Sequence, residues 1–266
     1  MKQYRIPFVL STGVLCIFIA GCGGLSKRDI ATGNISSSLN NNIYHHALQI
    51  ENKVRAQYVI DTTSPRAERL QRMVARLQHY GTRKDVHSSV GIITDQGYAN
   101  SCTGGQHIFI GTSLINAMQD DDLVAFILAH EIAHVDKCHA WRTFAASKKR
   151  KWLTWSMQQA TNVGVSLIPT GGIAPVAGAV IPTGVSLFNK ISSDIIHNGF
   201  SRSFEYEADY DAACMMAAAG YDPRKAVAAL ERLDTLSKDN SWLNSLRIFS
   251  THPETAKRAE QLAKLL

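Results

Sequence analysis

Apolar residues recur along this chain in several rhythms, and each rhythm predicts a different kind of segment. The run from Ile6 to Ile19 is continuously apolar and follows a basic stretch with Lys2 and Arg5. It is too short for a comfortable bilayer span and reads as a signal segment. From Gly23 to about Asn42, large apolar residues are scarce among Gly, Ser, Asn and Thr, as in a flexible tether. Helical patterning begins near Ile43 and runs to about Ile60. Ser64-Pro65 then supplies a cap and first-turn signal for a helix through Leu77. Arg66, Arg69, Arg72 and Arg76 give that helix a basic face, read as solvated. Val90–Ile93 and Gln106–Ile110 are short β-type runs separated by Gly and Asn, which predict a small antiparallel sheet. Asp120-Asp121-Asp122 opens a further helix, since acidic residues there take up the free N–H groups and complement the dipole. Val163–Phe188 is strongly apolar but holds Pro169, Pro175 and Pro182, which argues against a straight membrane span. It reads as a packed loop–helix segment, or as a broken hairpin over a site or against a bilayer.

The helix opened by Asp120 carries the chemistry. His130 and His134 are four apart, so both imidazoles leave one face about a turn apart and can reach one cation. Glu131 is placed to hold a water on that cation, giving the H-E-x-x-H arrangement of zinc peptidases. The plain alternative is a partly buried helix that happens to carry two histidines. Leu123, Phe126 and Ile127 lie on the same side, however, so the face is turned into a core where unpartnered polar groups are costly. A metal removes that cost. Two ligands do not complete a catalytic site, which takes three protein ligands and one open position. His139 falls about half a revolution from His130 on a continuing helix and reads as facing solvent or backing a ligand.

The third ligand is sought in Phe200–Asp209, which leads into an alanine-rich helix. Glu205 and Asp209 are four apart and share a face. One can ligate while the other accepts the ring N–H of a ligand histidine. Glu207 points elsewhere. Read alone, the segment is an acidic helix start.

Composition adds limits. The formal net charge of +6 falls by two when Lys2 and Arg5 leave with the signal, so the chain is only mildly basic and no nucleic-acid partner is expected. Ile19-Ala20-Gly21-Cys22 resembles the lipobox of bacterial lipoproteins. By that resemblance residues 1–21 are a lipoprotein signal peptide, Cys22 is lipidated, and residues 22–42 tether it to a single domain, 43–266. Ordinary cleavage and an uncleaved anchor are the alternatives. Gly23 resembles the sorting pattern for the outer membrane. The chain has five cysteines and no C-x-x-C. Cys102, Cys138 and Cys214 read as buried free thiols, with Cys102–Cys138 the more plausible bridge if one forms. Lys148–Lys151 with Trp152 and Trp155 reads as a solvated face, or as a rest on anionic head groups.

Three motifs in order, H-E-I-A-H-V-x-x-x-H, S-R-x-x-E-x-E-A-D and Thr251-His252-Pro253 with Arg258 beyond, resemble the HtpX, Oma-type and CAAX-prenyl-protease family of zinc metallopeptidases. The likeness covers about Tyr98 to Ala263, and lipid-anchored bacterial members are nearest in layout. It implies a mainly helical α+β zincin-type domain whose small antiparallel sheet lies next to the H-E-x-x-H helix, with one zinc ion per chain. His130, His134 and Glu205 would bind the zinc, Glu131 would act as general base, and Asp209 would support a ligand histidine. His252 matches a position where a histidine approaches the metal or the transition state; it would stabilise the oxyanion, or take the fourth zinc position and keep the enzyme latent. Thr251–Glu254 also reads as a capping box. Arg258 would be an anchor or a contact to a substrate carboxylate. Gly104 and Gly105 permit close backbone approach, so an edge strand there could pair with an extended substrate; the alternative is an ordinary glycine bulge.

The expected function is zinc-dependent endopeptidase action on unfolded or misassembled cell-envelope proteins, on the periplasmic face of the outer membrane. The competing class is a non-catalytic assembly factor that holds clients with the same fold.

Overall fold

The computed structural model describes residues 54–94, 101–103, 107–143, 200–238 and 254–266, with positions 44, 45, 48, 51, 52, 146 and 252. The signal segment, Cys22, the tether, Gly104, Gly105, Lys148–Lys151 with its tryptophans, and Val163–Phe188 lie outside those residues. Every described position between 44 and 57 is helical. The helix gives way at Tyr58, earlier than the expected Ile60, because Ile60–Asp61 (β1) is drawn into the sheet.

Ser64 accepts a hydrogen bond from the Ala67 N–H at 3.2 Å, and Pro65 opens helix α1, Pro65–Gln78. The pair caps the helix as its sequence predicts. Ala67, Leu70, Met73, Val74 and Leu77 recur at helical spacing and are buried, while Arg66, Arg72 and Arg76 are exposed.

Strands β2 (Ser89–Ile93), β3 (Ser101–Thr103) and β4 (His107–Gly111) join β1 in a four-stranded sheet of order β1-β2-β4-β3. The expected antiparallel sheet is corrected to a mixed one. β2 and β4 are parallel, with Val90 beside Ile108 and Ile92 beside Ile110; β1 and β3 flank them antiparallel. Parallel pairing needs a crossover, and the long connection from β2 to β4 allows one. Both central strands are buried over their last four residues, as parallel strands covered on two faces must be. Val90, Ile92, Ile108 and Ile110 enter the main core, and Ile93 and Phe109 meet Val54 on the other face. Gly91 is required there, since a Cβ would stand 2.5 Å from the Ile60 Cγ2.

β4 runs into α2 (Thr112–Met118), which stops at left-handed Gln119. Asp120 then caps α3, Asp121–Asp136, its carboxylate accepting from the Asp122 N–H at 2.8 Å. Every residue of α3 from Val124 to Asp136 is buried. Such a helix is enclosed by the core rather than laid on it. Around it stand α1, α4 (Arg202–Ala218) and α5 (Lys225–Lys238), with α6 (Thr255–Ala263) against α4 and α5. Small residues Ala208, Ala212 and Ala213 on α4 and Ala229 on α5 let the helices approach closely around Leu128 and Ile132. The end of α3 is tied down by Asp136, whose Oδ2 accepts from the Thr82 N–H at 2.6 Å. Gly81 leaves room for that carboxylate, since a Cβ would lie 2.6 Å from it.

Glu254 is not the third helical residue that the capping box expected at Thr251–Glu254 requires. Helix α6 begins at Thr255, after Glu254 in the left-handed region at φ 62°. The Glu254 carboxylate is spent on Arg202 at 2.7 Å and Lys257 at 3.2 Å.

Candidate metal centre

Three elements converge on one buried point. Helix α3 supplies His130 and His134, whose Nε2 atoms stand 3.0 Å apart. Helix α4 supplies Glu205, with Oε2 at 3.4 Å from the His130 Nε2 and Oε1 at 3.5 Å from the His134 Nε2. His252, ahead of α6, places Nδ1 at 3.3 Å from the His130 Nε2 and 3.0 Å from the Glu205 Oε2. One donor atom from each of the four lies within 4.8 Å of the others, and all four residues are buried. Donors bound tetrahedrally at roughly 2.0–2.1 Å stand about 3.3–3.4 Å from one another. The spacing and the nitrogen–oxygen donor set therefore fit a divalent metal ion. Glu131 is buried alongside, with Oε1 at 3.5 Å from the His252 Nε2.

A layer of charge supports the donors from behind. Asp209 Oδ1 is 3.0 Å from the His130 Nδ1. The Arg258 guanidinium donates to both Asp209 oxygens at 2.7 and 2.6 Å, and its Nη1 lies 2.7 Å from the Glu205 Oε2. Arg258 is only 3 % exposed. Of the two expectations for Arg258, these contacts to Asp209 and Glu205 are those of an anchor. Burial pushes the Asp209 carboxyl up, but Arg258 outweighs it and holds Asp209 below the usual range. Glu205 is likewise raised by burial but held well below its ordinary value by His252 and Arg258. Burial opposes a charge on His130, yet hydrogen bonds to Asp209 and Glu205 raise it to about 9. Burial and His130 push His134 well below its ordinary value.

A second layer lies behind His134, where His139 takes the ligand-backing place that was one of its two sequence readings. Helix α3 ends at Asp136, and Cys138 adopts a left-handed φ of 53°. That reversal carries His139 back to His134 rather than half a turn away, with the two Nδ1 atoms 2.8 Å apart. His139 is fully buried, so the solvent-facing reading fails. Its Nε2 is 3.2 Å from the Glu207 Oε2, which accepts from the Arg142 Nη1 at 2.8 Å. Glu207 does point away from Glu205, as its position requires. Phe200 and Phe204, four apart, stack on His134 at 4.2 Å and on His139 at 4.4 Å. The quoted motif already contained His139, but a helix assumed to continue hid its direction. Of the cysteines, Cys138 is a buried free thiol, whereas Cys214 is exposed rather than buried.

Comparison with known proteins agrees with this centre. The profile described as Peptidase family M48 matches residues 64–266. The mitochondrial metalloendopeptidase OMA1 of Arabidopsis thaliana is 30 % identical over 165 residues, which cover 61 % of this chain and 28 % of that protein. OMA1 of Saccharomyces cerevisiae is 27 % identical over 167 residues, 61 % of this chain and 41 % of that protein. The beta-barrel assembly-enhancing protease of Escherichia coli K12 is 24 % identical over 149 residues, 56 % of this chain and 28 % of that protein. The chain thus spans well under half the length of these relatives.

These relatives overturn the expected place on the periplasmic face of a bacterial outer membrane, since the OMA1 proteins are mitochondrial by name. The motifs build a metal site and a core, and neither encodes a compartment; that expectation rested on residues 1–42 and on the likeness to lipid-anchored bacterial members. Among the described residues no helix is long and apolar enough to cross a membrane. With a matched segment that contains all three motifs and most of the chain, the protein belongs to Peptidase family M48.

Proposed function

We propose that the chain is a zinc-dependent endopeptidase for unfolded or misassembled proteins, with His130, His134 and Glu205 as the zinc ligands. The observation that carries this reading is the buried set of donors spaced for one tetrahedral ion, with a glutamate beside it. Three imidazoles and a carboxylate suit zinc better than harder cations. When bound, zinc supplies Lewis acidity and brings the pKa of a water towards neutrality. Glu131 accepts the proton of the attacking water and passes it to the leaving amine. Asp209 orients His130 through Nδ1, and Arg258 fixes Asp209 and Glu205, so the donors are held before substrate arrives. The substrate class rests on the edge strand β3, which lies beside α3 at the open end of the sheet order. An extended chain can add to such an edge through backbone bonds alone, which favours unfolded segments over particular side chains. The Escherichia coli relative is named for enhancing assembly, which supports misassembled chains as a class. The restriction to cell-envelope proteins goes with the compartment on which it rested.

A second reading is favoured by one distance, the 3.3 Å between the His252 Nδ1 and the His130 Nε2. That distance supports a reading in which His252 is a fourth donor, filling the position a water needs and keeping the enzyme latent. In the first reading His252 turns to the oxyanion instead. The test is degradation of an unfolded protein by wild type beside Glu131→Gln and His252→Ala, with zinc content measured in each. Cleavage by wild type and none by Glu131→Gln, both carrying zinc, is the expected result. His252→Ala lowers the rate if the residue serves the transition state and raises it if it serves latency. Silence of all three with zinc bound would favour an assembly factor that holds clients without cutting them.

A further inference from the structure

His139, Glu207 and Arg142 lie behind the metal donors, and the roles proposed above use none of them. The proton inventory of this layer leads to one arrangement. His134 turns Nε2 towards the donor set, 3.0 Å from the His130 Nε2 and 3.5 Å from the Glu205 Oε1. A nitrogen that binds a cation must offer a lone pair, so the one proton of neutral His134 belongs on Nδ1. At 2.8 Å that N–H donates to the His139 Nδ1, which must then be bare. The single proton of neutral His139 is thereby placed on Nε2, where it donates to the Glu207 Oε2 at 3.2 Å. The same oxygen accepts from the Arg142 Nη1 at 2.8 Å. Each imidazole hydrogen has an acceptor, and both of these bonds point outward from the site.

The reversed arrangement is expensive. If His139 carried its proton on Nδ1 and donated to His134, the His134 proton would sit on Nε2 and point into the donor set, blocking metal. The His139 Nε2 lone pair would also face the Glu207 carboxylate, a repulsion inside a buried pocket. The Arg142 Nη1 donates to that same carboxylate oxygen and holds it in place. The rings have little freedom to escape the repulsion: His139 stacks on Phe204 with an interplanar angle of 7° and His134 on Phe200 with 19°. The Arg142 guanidinium lies 4.2 Å from the Phe204 centroid.

We propose that His139, backed by Glu207 and Arg142, is a positioning residue that fixes the tautomer of His134 and so leaves its Nε2 open to the metal. The inference rests on the reading of His134 as a zinc ligand and deepens it. It assigns His139 no contact with substrate. Outer partners of ligand histidines commonly change metal affinity by roughly 10–100-fold, and a full relay belongs towards the upper part of that range.

The experiment has two readouts on the full chain, neither of which is activity. Zinc affinity is measured by competition with a chromophoric chelator for wild type, His134→Ala, His139→Phe and Glu207→Gln. Tautomers are read in the zinc-loaded and chelator-stripped protein from nitrogen-15 shifts of the imidazoles. His139→Phe keeps the stacked ring and removes both nitrogens; Glu207→Gln alters a partly exposed side chain and keeps the test open if His139→Phe does not fold. We expect His139→Phe to weaken zinc about 30–100-fold and Glu207→Gln about 10-fold. Stripped wild type should show His134 protonated on Nδ1, and Glu207→Gln a mixture of both tautomers. Unchanged affinity and tautomer in both variants would overturn the relay while leaving the metal site standing. Wild type that binds zinc no better than His134→Ala would overturn the site itself, and the relay with it.

Discussion

Replacing Arg258 by Met isolates the charge balance beneath the metal donors. The guanidinium contacts Asp209 at 2.6 and 2.7 Å and Glu205 at 2.7 Å, all in a buried setting. Unit charges about 4 Å apart attract by roughly 4 kcal/mol at an effective dielectric of 20, and Arg258 serves two such partners. The desolvation of the guanidinium, which Met does not incur, offsets part of that gain. Breaking a buried pair while leaving the acids in place nets about 3–5 kcal/mol of lost stability. The measurement is chemical denaturation of chelator-stripped protein across pH. Both carboxyls have folded pKa values below their ordinary ones. Their contribution is therefore fully present above the unfolded values of about 4 and is lost as pH falls through the folded ones. The gap between wild type and Arg258→Met should be largest at pH 7 and narrow below pH 5 as the orphaned acids take up protons. Adding Asp209→Asn to Arg258→Met should recover part of the loss, because one uncompensated charge disappears. A loss under about 1 kcal/mol at pH 7, or the same loss at pH 4 and pH 7, would refute the anchoring account.

Three further outcomes follow from the fold. Ser64→Ala removes the cap on the Ala67 N–H and should cost about 1 kcal/mol in a thermal or denaturant melt. Gly81→Ala places a Cβ 2.6 Å from the Asp136 Oδ2, which displaces the carboxylate from Thr82; a loss of about 1–3 kcal/mol by denaturation is expected. Alkylation followed by peptide mass mapping should modify exposed Cys214 in the native protein and reach buried Cys138 only on unfolding.

The parts of the site carried by local spacing were legible in the sequence. His130 and His134 had to share a face of any helix, and Asp120 is the cap that its position promised. Glu205 and Asp209 do share a face, with Glu205 near the His130 Nε2 and Asp209 near its Nδ1. What local spacing does not encode is where a helix stops and which way the chain then turns. The two readings of His139 could not be separated because Cys138 takes a left-handed backbone, a conformation unusual for a residue other than Gly, Asn or Asp. Glu254 was misread for the same reason. Strand direction was also out of reach: alternation of apolar residues marks β2 and β4 equally well for either pairing, and only the crossover between them decides.

The donors His130 and His252 are 122 positions apart in the chain, and Glu205 precedes His252 by 47. Arg258, which holds Glu205 and Asp209 in register, follows all of them. A ribosome releasing this chain from its N-terminus therefore delivers the helix with His130 and His134 long before the groups that complete the donor set. The nascent chain holds no assembled centre while its own core is still unfolded.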